Sequence, residues 1–390
     1  MSQYESDLLQ GVRGISDLGD AWDDLWQKSG ARQPTVRLAA LQNWLEHFAD
    51  NRPLSTVVVR NNDRLVAALP LLHDQARGLG VVYKLPVNCW ANAGDLLVDP
   101  HEDVEQVLDC LVTGIAERLA GVLSLEEITL DAWHWQEFQQ AVRRRHGRYY
   151  IAKSAPVGVV DLLGDWEAYE KSWSGNHRSA VKRSYKKLQK QGEVRIERCS
   201  ESGPRLEELM RLAFEIEDRS WKGDEGTSVL KTPGMLEYML SEAQRVAESG
   251  HLDLWFLYLD DEPIAFEYCH VAKGTCFSHK IGYDPQHAKL GPGRLLRYLQ
   301  LQQYDQEPDV KLLDTLGTFC QSKAKWATRT YEVGKMYTAL GGSWASFLVD
   351  GYAWSRPFLE SLKGDKPEPF PTAGAASYLE SAQQDDLVEL

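Results

Sequence analysis

No stretch of this chain approaches the roughly 18 uninterrupted apolar residues that a membrane-spanning helix needs. The first seven residues contain no lysine or arginine, whereas a secretory signal begins with a basic region. These two absences predict a cytoplasmic protein without membrane insertion. The chain has only 6 cysteines in 390 residues, and they show no metal or redox spacing. We therefore expect scattered buried thiols and no bound metal.

Net positive charge is also lacking, because the formal charge is −14 at pH 7. A protein that coats DNA or binds an anionic membrane presents a broadly basic surface, so the composition argues against both functions. It leaves room for a local basic site. The length of the chain predicts two or more domains, each large enough for its own core.

The most informative stretch runs from Leu254 to Thr315. The apolar run 254–259 meets a polar turn at 260–263 and returns through 264–266, which predicts a hairpin. A second hairpin turns at 272–274 and returns through 275–281. By the strand period of two, Phe277, His279 and Ile281 are expected to share one face.

A glycine loop and a helix follow these hairpins. Gly291-Pro292-Gly293 has almost no side chain, and the residues from Arg294 onward show helical spacing. The start of a helix leaves amides unpaired beside the positive end of the helix dipole, and glycine allows a diphosphate to approach closely. The pattern predicts a phosphate cradle, although an ordinary glycine-rich turn would look the same. The predicted contacts are Lys289, Leu290, Gly291, Gly293, Arg294 and Leu295.

This order of elements resembles the GNAT superfamily of N-acetyltransferases. More narrowly, it resembles the branch named for the CelD cellulose-biosynthesis proteins, with the FemAB-type aminoacyl transferases as relatives. The residues that carry the resemblance are Gly282 to Pro285, Gly291 to Leu296, Leu313, Asp314, Gly317, Lys323, Trp326, Trp221, Gly223, Gly226 and the helix from Pro233. The sequence departs from the family at Ala288, where the general signature has arginine or glutamine, and this leaves His287, Lys289 and Arg294 as side-chain helpers.

The pattern of helix, strand, polar turn and strand occurs twice, from Pro34 to Leu71 and from Thr232 to Phe266. Together with the resemblance, this predicts an α/β (α+β) fold of tandem GNAT-like domains, each a mixed, mostly antiparallel sheet flanked by helices. We expect a helical lead-in over residues 1–30, a degenerate GNAT-like domain over 31–150 and the acyltransferase domain over 155–350. A closing strand at 343–349, a helix from Arg356 to Leu362 and a mobile acidic tail over 364–390 complete the prediction.

The first copy has no glycine loop opening a helix. Its helix from Val104 follows Glu102 and Asp103, whose charges would repel a diphosphate, so this copy is predicted to bind no cofactor. Trp90 either walls one side of a substrate cleft or sits in a packed loop.

Residues 174–190 contain six cations and no acids. On a helix the cations, among them Arg178 and Lys182, sweep one half, while Val181, Tyr185 and Leu188 lie on the other. Such a face is either simply solvated or recognises phosphates, whether of CoA, a nucleotide-linked substrate or a tRNA acceptor end.

The resemblance also implies roles for single residues. Trp221 and Lys222 would line the acceptor pocket, Asp314 and Lys323 would be catalytic, and Trp326 would contact substrate. A core ion pair would explain Asp314 and Lys323 equally well. His279 is the titratable group on the splayed strand and a candidate general base, with Tyr331 as a candidate acid to the leaving thiolate.

Three functions remain open at this point. The first is an N-acyltransferase that uses acetyl-CoA or another acyl-CoA and acts on a small amine or an amino sugar. The second is a FemAB-like enzyme that takes its acyl group from aminoacyl-tRNA. The third is a non-catalytic binding protein in which the loop survives only as structure.

Overall fold

The computed structural model describes residues 3–76, 80–340 and 351. These residues divide into two compact units, the first formed by residues 3–156 with 331–340 and the second by residues 157–330. The predicted closing strand at 343–349, the helix from Arg356 to Leu362 and the acidic tail over 364–390 lie outside the described residues.

The strands, in chain order, are β1 (Tyr4–Gln10), β2 (Leu54–Asn61), β3 (Arg64–Ala76), β4 (Gly80–Lys84), β5 (Leu97–Val98), β6 (Val122–Thr129), β7 (Arg148–Asp161), β8 (Val194–Cys199), β9 (Leu252–Leu259), β10 (Glu262–Ala272), β11 (Thr275–Tyr283), β12 (Leu312–Asp314) and β13 (Arg329–Ala339). The helices are α1 (Gly11–Ser16), α2 (Asp20–Lys28), α3 (Leu38–Phe48), α4 (Val104–Arg118), α5 (Trp133–Arg144), α6 (Trp166–Ser172), α7 (Gly175–Gln189), α8 (Pro204–Asp218), α9 (Trp221–Asp224), α10 (Met235–Glu248), α11 (Pro292–Tyr304) and α12 (Gln321–Ala324). Short 3₁₀ turns cover Pro34–Val36 and Pro285–Leu290.

The two units have sheets of the same strand order and direction. In the first unit the order is β1-β2-β3-β4-β6-β13, and in the second it is β8-β9-β10-β11-β12-β7. Each order begins with three antiparallel pairs, continues with one parallel pair and ends with one antiparallel pair. This match confirms the predicted tandem α/β fold with mostly antiparallel sheets.

The last strand of each sheet lies far along the chain from the strand it pairs with. The first unit uses β13, which pairs with β6, and the second uses residues 159–161 of β7, which pair with β12. The predicted run of 155–350 for the second domain is therefore corrected to residues 157–330, because β13 packs with the first unit. The predicted helical lead-in also begins differently, since Tyr4 to Gln10 pair along β2 as a strand.

Both predicted hairpins of the second unit form. Asp260 at the first turn and Lys273 with Gly274 at the second adopt positive φ, as the tight turns between twisted antiparallel strands require. All residues of β9 are buried, which explains why its sequence is an apolar run and not an alternating pattern. These strands place β11 and the glycine loop after it next to α11.

Candidate active site

A bulge in β11 shapes the site. Cys269 of β10 pairs with Ser278 and Tyr268 pairs with Lys280, so His279 is an extra residue with no partner on β10. Bulges bend a strand and re-aim its side chains. The predicted sharing of one face by Phe277, His279 and Ile281 therefore fails at Ile281, which pairs with Glu267. Phe277 pairs with His270, and the His279 ring lies 3.9 Å from the His270 ring on that same face.

The other edge of β11 opens after three residues. Pairing with β12 runs from Thr275 with Leu312 to Phe277 with Asp314, where β12 ends. β11 continues to Tyr283, and no strand of the described residues pairs with residues 278–283 on that side. The result is a length of strand edge whose backbone groups can bind an extended ligand.

The glycine loop lies directly beyond this edge. Gly291 has a φ of +70°, and a Cβ atom there would lie 2.5 Å from the Ser184 Oγ, so both the backbone and the space require glycine. At Gly293 a Cβ atom would meet only Tyr283 Cδ1, at 3.4 Å. Gly291, the N-cap of α11, makes no side-chain capping hydrogen bond. The phosphate contacts at this helix start stay a prediction.

Several backbone N–H groups of the loop are not available to an anion. The Gly291 N–H donates to the Ala288 carbonyl at 3.0 Å, the Leu295 N–H donates to the Gly291 carbonyl at 3.1 Å, and Pro292 has no N–H. The Gly293 N–H makes no hydrogen bond within the described residues. Leu295 is buried and Leu290 packs against the core, so neither side chain reaches an anion.

Basic side chains adjoin the loop. Arg294 is exposed, and its Nη1 lies 3.4 Å from the Ser184 Oγ of α7. Lys187 Nζ donates to the carbonyl oxygen of the exposed Lys289 at 3.2 Å. The basic helix therefore packs directly against the predicted cradle.

Helix α7 buries one stripe and exposes its cations. The buried stripe is His177, Val181, Ser184 and Leu188, and the exposed cations are Lys182, Arg183, Lys186, Lys187 and Lys190. Tyr185 was expected on the buried side but is 42% exposed. Arg178 has another task, because its Nη1 donates to the carbonyl oxygens of Glu170 and Lys171 at 3.3 and 2.8 Å.

A buried ion pair that the sequence did not predict joins α11 to β10 and also holds Ser278 of β11. Arg297 of α11 contacts the Glu267 carboxylate of β10 at 2.7 Å and donates to the Ser278 Oγ at 3.0 Å. The Ser278 hydroxyl donates to Glu267 at 2.8 Å. A glutamate inside a run of apolar strand residues, and an arginine on the apolar face of a helix, were the available signals. This network anchors the strand immediately before the bulge.

His279 is half-buried, but its Nε2 atom is closed off from solvent and has no partner within the described residues. Burial, with a smaller contribution from the neighbouring Lys280 charge, lowers the pKa of His279 to about 3. A group with so low a pKa accepts a proton poorly at neutral pH. This environment does not favour His279 as the general base.

Asp314 and Lys323 meet on one loop at the end of β12. The buried Asp314 carboxylate accepts the N–H of Leu316 at 2.9 Å, and Lys323 Nζ donates to the carbonyl oxygens of Leu316 and Thr318, the second at 3.0 Å. Leu316 and Gly317 both have positive φ. Burial lowers the pKa of Lys323. The two residues hold a left-handed turn in place beside the opened edge of β11.

The remaining predicted residues lie in several places. Trp326 is buried in an aromatic cluster, with its ring 5.2 Å from Trp173 and 4.5 Å from His177. Trp90, in a loop held by Asn88, and Tyr331, on β13, belong to the first unit.

Trp221, the first residue of α9, is 61% exposed. Lys222 Nζ and Lys280 Nζ lie 2.8 and 3.3 Å from the same Glu217 oxygen. Arg219 contacts Asp284 at 2.8 Å. These ion pairs hold residues 219–222 next to the end of β11, and the acceptor-pocket role of Trp221 and Lys222 stays a prediction.

Two classes of feature are missing from residues 3–76 and 80–340. No helix there has the length and apolar character to cross a bilayer. No group of three or more histidine, cysteine, aspartate or glutamate side chains there could hold a metal ion.

Residues 175–321 match the family model described as an acetyltransferase (GNAT) domain. This range begins at α7 and contains the bulged strand, the glycine loop and α11. No curated protein matches the chain.

Solved structures show the same fold at low identity. A FemX structure has a TM-score of 0.56 at 10% identity and covers 82% of this chain and 95% of its own. A Bacteroides thetaiotaomicron protein of unknown function has a TM-score of 0.52 at 10% identity, with coverages of 83% and 97%. A domain from Agrobacterium fabrum, assigned to a putative lysylphosphatidylglycerol synthetase, has a TM-score of 0.50 at 11% identity, with coverages of 86% and 95%.

Proposed function

We propose that this chain, whose residues 175–321 belong to the GNAT acyltransferases, moves an acyl group from acyl-CoA to an amine of a small molecule or an amino sugar. The identities of the acyl donor and of the acceptor are what we propose. Because CoA is an intracellular carrier, the proposal includes a cytoplasmic location, and it includes membership of the CelD-like branch.

The observation that carries the proposal is the junction of the open edge of β11 with the uncapped start of α11. An extended arm can bond to the backbone of residues 278–283, while a phosphate group at its end meets the Gly293 amide, the positive end of the helix dipole and Arg294. Lys289 and the α7 cations add positive charge around that point. The residues present therefore fit a phosphorylated, extended thioester.

A thioester supplies an activated carbonyl carbon and a thiolate leaving group. The protein binds its phosphates at the loop, excludes water along β11 and leaves strand-edge amides available for an oxyanion near the bulge. The loop of Asp314 and Lys323 shapes the far side of this edge. Trp221 and its neighbours would hold the acceptor.

Calorimetry of the purified chain with CoA and with desulfo-CoA tests the donor. We expect saturable heat with both ligands and competition between them. Absence of heat with CoA, together with absence of displacement by desulfo-CoA, would overturn the acyl-CoA assignment.

A second donor is favoured by the exposed cations Lys182, Arg183, Lys186 and Lys187 of α7 and Lys190 directly after it, which form a basic surface along the helix. Aminoacyl-tRNA, with its acceptor end on α7, fits that surface. Loss of transfer activity in lysate after ribonuclease treatment would support this donor over CoA. Full cellular function of the double variant Asp314→Ala, Lys323→Ala would favour a non-catalytic binding protein instead.

A further inference from the structure

The bulge in β11 places two nearby side chains on opposite faces of the sheet. The Ser278 hydroxyl lies on the α11 face, where it accepts a hydrogen bond from Arg297 at 3.0 Å. In a regular strand Lys280, two residues further on, would lie on the same face. Lys280 pairs with Tyr268 instead, and its Nζ atom lies 3.3 Å from Glu217 of α8. The extra residue of the bulge therefore directs an ammonium group away from α11.

Two ammonium groups share one carboxylate oxygen on this face. Lys222 Nζ, from α9, lies 2.8 Å from Glu217 Oε1, and Lys280 Nζ lies 3.3 Å from the same oxygen. The other oxygen of Glu217 accepts the Val229 N–H at 3.1 Å. We refer to Lys222, Lys280 and Glu217 as the two-lysine site. One carboxylate balances one ammonium group, so the site has an excess positive charge.

Two further acids in this region already have cationic partners. Asp284 is paired with Arg219 at 2.8 Å, and Asp218 lies 3.9 Å from the Lys231 ammonium group. The Asp218 carboxylate also accepts a hydrogen bond from the Ser228 hydroxyl. Neither of these acids is available to balance the second lysine.

Three other acids, on α9, directly after it and on α10, do not balance the charge either. Asp224 and Glu225 are exposed, and neither forms an ion pair with Lys222 within the described residues. Glu242 of α10 is buried, and its charge acts on Lys280. Burial raises the pKa of Glu242 to about 8. At neutral pH Glu242 therefore keeps its proton and adds no negative charge.

An ammonium group without a balancing charge is unfavourable where it is largely buried. The side chains of Lys280 and Glu217 are only 12% and 1% exposed. Because removal from water is costly for a charge, a buried charge needs a partner of opposite sign. Burial lowers the pKa of Lys280, and the Lys222 charge lowers it further, while the Glu217 charge raises it. One lysine would be enough to join α8 to β11, so the second is explained by an anion that a ligand supplies.

Lys222 makes the two-lysine site accessible, because its side chain is 27% exposed. An ammonium group has three N–H donors, and that of Lys222 gives one to Glu217 and none to another group within the described residues. Lys280 directly follows the bulge, where the proposed acyl transfer takes place. An anion bound to both lysines would therefore lie beside the reacting groups.

We propose that the acceptor carries an acidic group, a carboxylate or a phosphate, which binds to the Lys222 and Lys280 ammonium groups while the acceptor amine reaches the bulge of β11. The inference rests on the proposed function and narrows its acceptor from any small amine to an anionic one. The donor phosphates would bind at the start of α11, on the other face of the sheet, so the two anionic groups do not compete. Trp221, exposed and next to Lys222 in the chain, offers an apolar surface to the rest of the acceptor.

Matched acceptors that differ only in the acidic group test the inference on the wild-type protein. Transfer from acetyl-CoA at neutral pH is measured for amino acids and their amides, and for glucosamine and its phosphate ester, with rates expressed per unprotonated amine. We expect kcat/KM to be at least about tenfold higher for the acidic member of one pair, as for a charge-assisted hydrogen bond. The pair that shows this preference identifies a carboxylate or a phosphate. Equal or lower values for the acidic members of both pairs would overturn the inference and leave the proposed function in place.

Lys222→Met removes one ammonium group of the site, and Lys171→Met removes an exposed lysine that pairs with Glu167 on α6. For Lys222→Met we expect a loss of about 10- to 100-fold in kcat/KM for the acidic acceptor, mainly through KM. The preference for the acidic over the neutral acceptor should then disappear. Lys222→Arg keeps the charge and should keep most of the preference, and Lys171→Met should behave as wild type. A Lys222→Met variant that is slower but keeps the wild-type preference would show a purely structural role and contradict the assignment.

Calorimetry of the CoA-bound wild-type protein measures acceptor binding without catalysis and without a variant that could fold poorly. We expect the acidic member of the preferred pair to bind more tightly than its neutral counterpart. If no acidic member binds more tightly, the two-lysine site does not recognise the acceptor. CoA binding without transfer to any acceptor would instead overturn the proposed function.

Discussion

The two units share a topology but differ where their fourth strand ends. In the first unit, β4 ends at Lys84, its last residue paired with β6, and the chain returns as β5 beside β3. In the second unit, β11 bulges at His279 and runs on past the end of β12 to the glycine loop. The fold is therefore shared by both units, and the proposed donor site depends on the extended strand and the glycine loop of the second unit.

The helices that follow these strands differ in whether a side chain caps their N-terminus. Asp103 caps α4, with its carboxylate accepting the Gln106 N–H at 3.1 Å and the Gln106 side-chain amide at 2.6 Å. Helix α11 begins at Gly291 with no side-chain cap. One helix start is filled by the protein's own anion, and the other is open to an anion from outside.

The largest predicted difference concerns how each helix is attached. Helix α4 buries only apolar residues and one glycine, whereas α11 uses the buried Arg297 and Glu267 pair. Arg297→Met leaves a buried carboxylate without its partner, so we expect a loss of about 3–5 kcal/mol in the free energy of unfolding. Urea unfolding followed by tryptophan fluorescence measures it. A loss below about 1 kcal/mol would mean that the pair does not anchor α11.

The second difference concerns glycines with positive φ. Gly80 of the first unit has a φ of +72° and open space around it, whereas a Cβ atom at Gly291 would collide with Ser184. We expect Gly80→Ala to cost about 1 kcal/mol from backbone strain, and Gly291→Ala to cost about 1–2 kcal/mol more. Equal unfolding free energies for the two variants would show that α7 does not pack tightly on the loop.

The third prediction uses the pH dependence of stability. The folded protein keeps the Glu242 proton up to about pH 8, whereas a glutamate in the unfolded chain loses it near pH 4.5. The folded state therefore binds more protons in this window, and wild-type stability falls as the pH rises.

Glu242→Gln removes this dependence. Relative to wild type, we expect it to gain about 2 kcal/mol between pH 6 and pH 8. Paired urea unfolding curves at the two pH values provide the comparison. A difference that does not change with pH would mean that the Glu242 pKa is ordinary.

The smallest effect is expected at the cap of the first unit. Asp103→Ala should cost about 1 kcal/mol of stability, because the Gln106 N–H loses its acceptor. CoA affinity by calorimetry should remain that of the wild type. A change in CoA affinity would contradict the assignment of the donor site to the second unit.

Local sequence patterns predicted much of this arrangement. The turns at Asp260 and Gly274, the start of α11 and the repeated order of elements all follow from periodicity and turn residues close together in the chain. The bulge at His279 was not predictable, because an extra residue in a register depends on the partner strand. The pairing of β13 with β6 and the ion pair of Arg297 with Glu267 likewise depend on contacts between distant parts of the chain.

The measurement that tests the central claim most directly is the CoA affinity of Gly293→Asp, with Gly293→Ala as the neutral control. Aspartate suits the first turn of a helix, so the fold should be retained, but its charge would oppose a phosphate at the same place. We predict at least roughly tenfold weaker CoA binding for Gly293→Asp than for Gly293→Ala. Equal affinities for the two variants would contradict a donor phosphate at the start of α11.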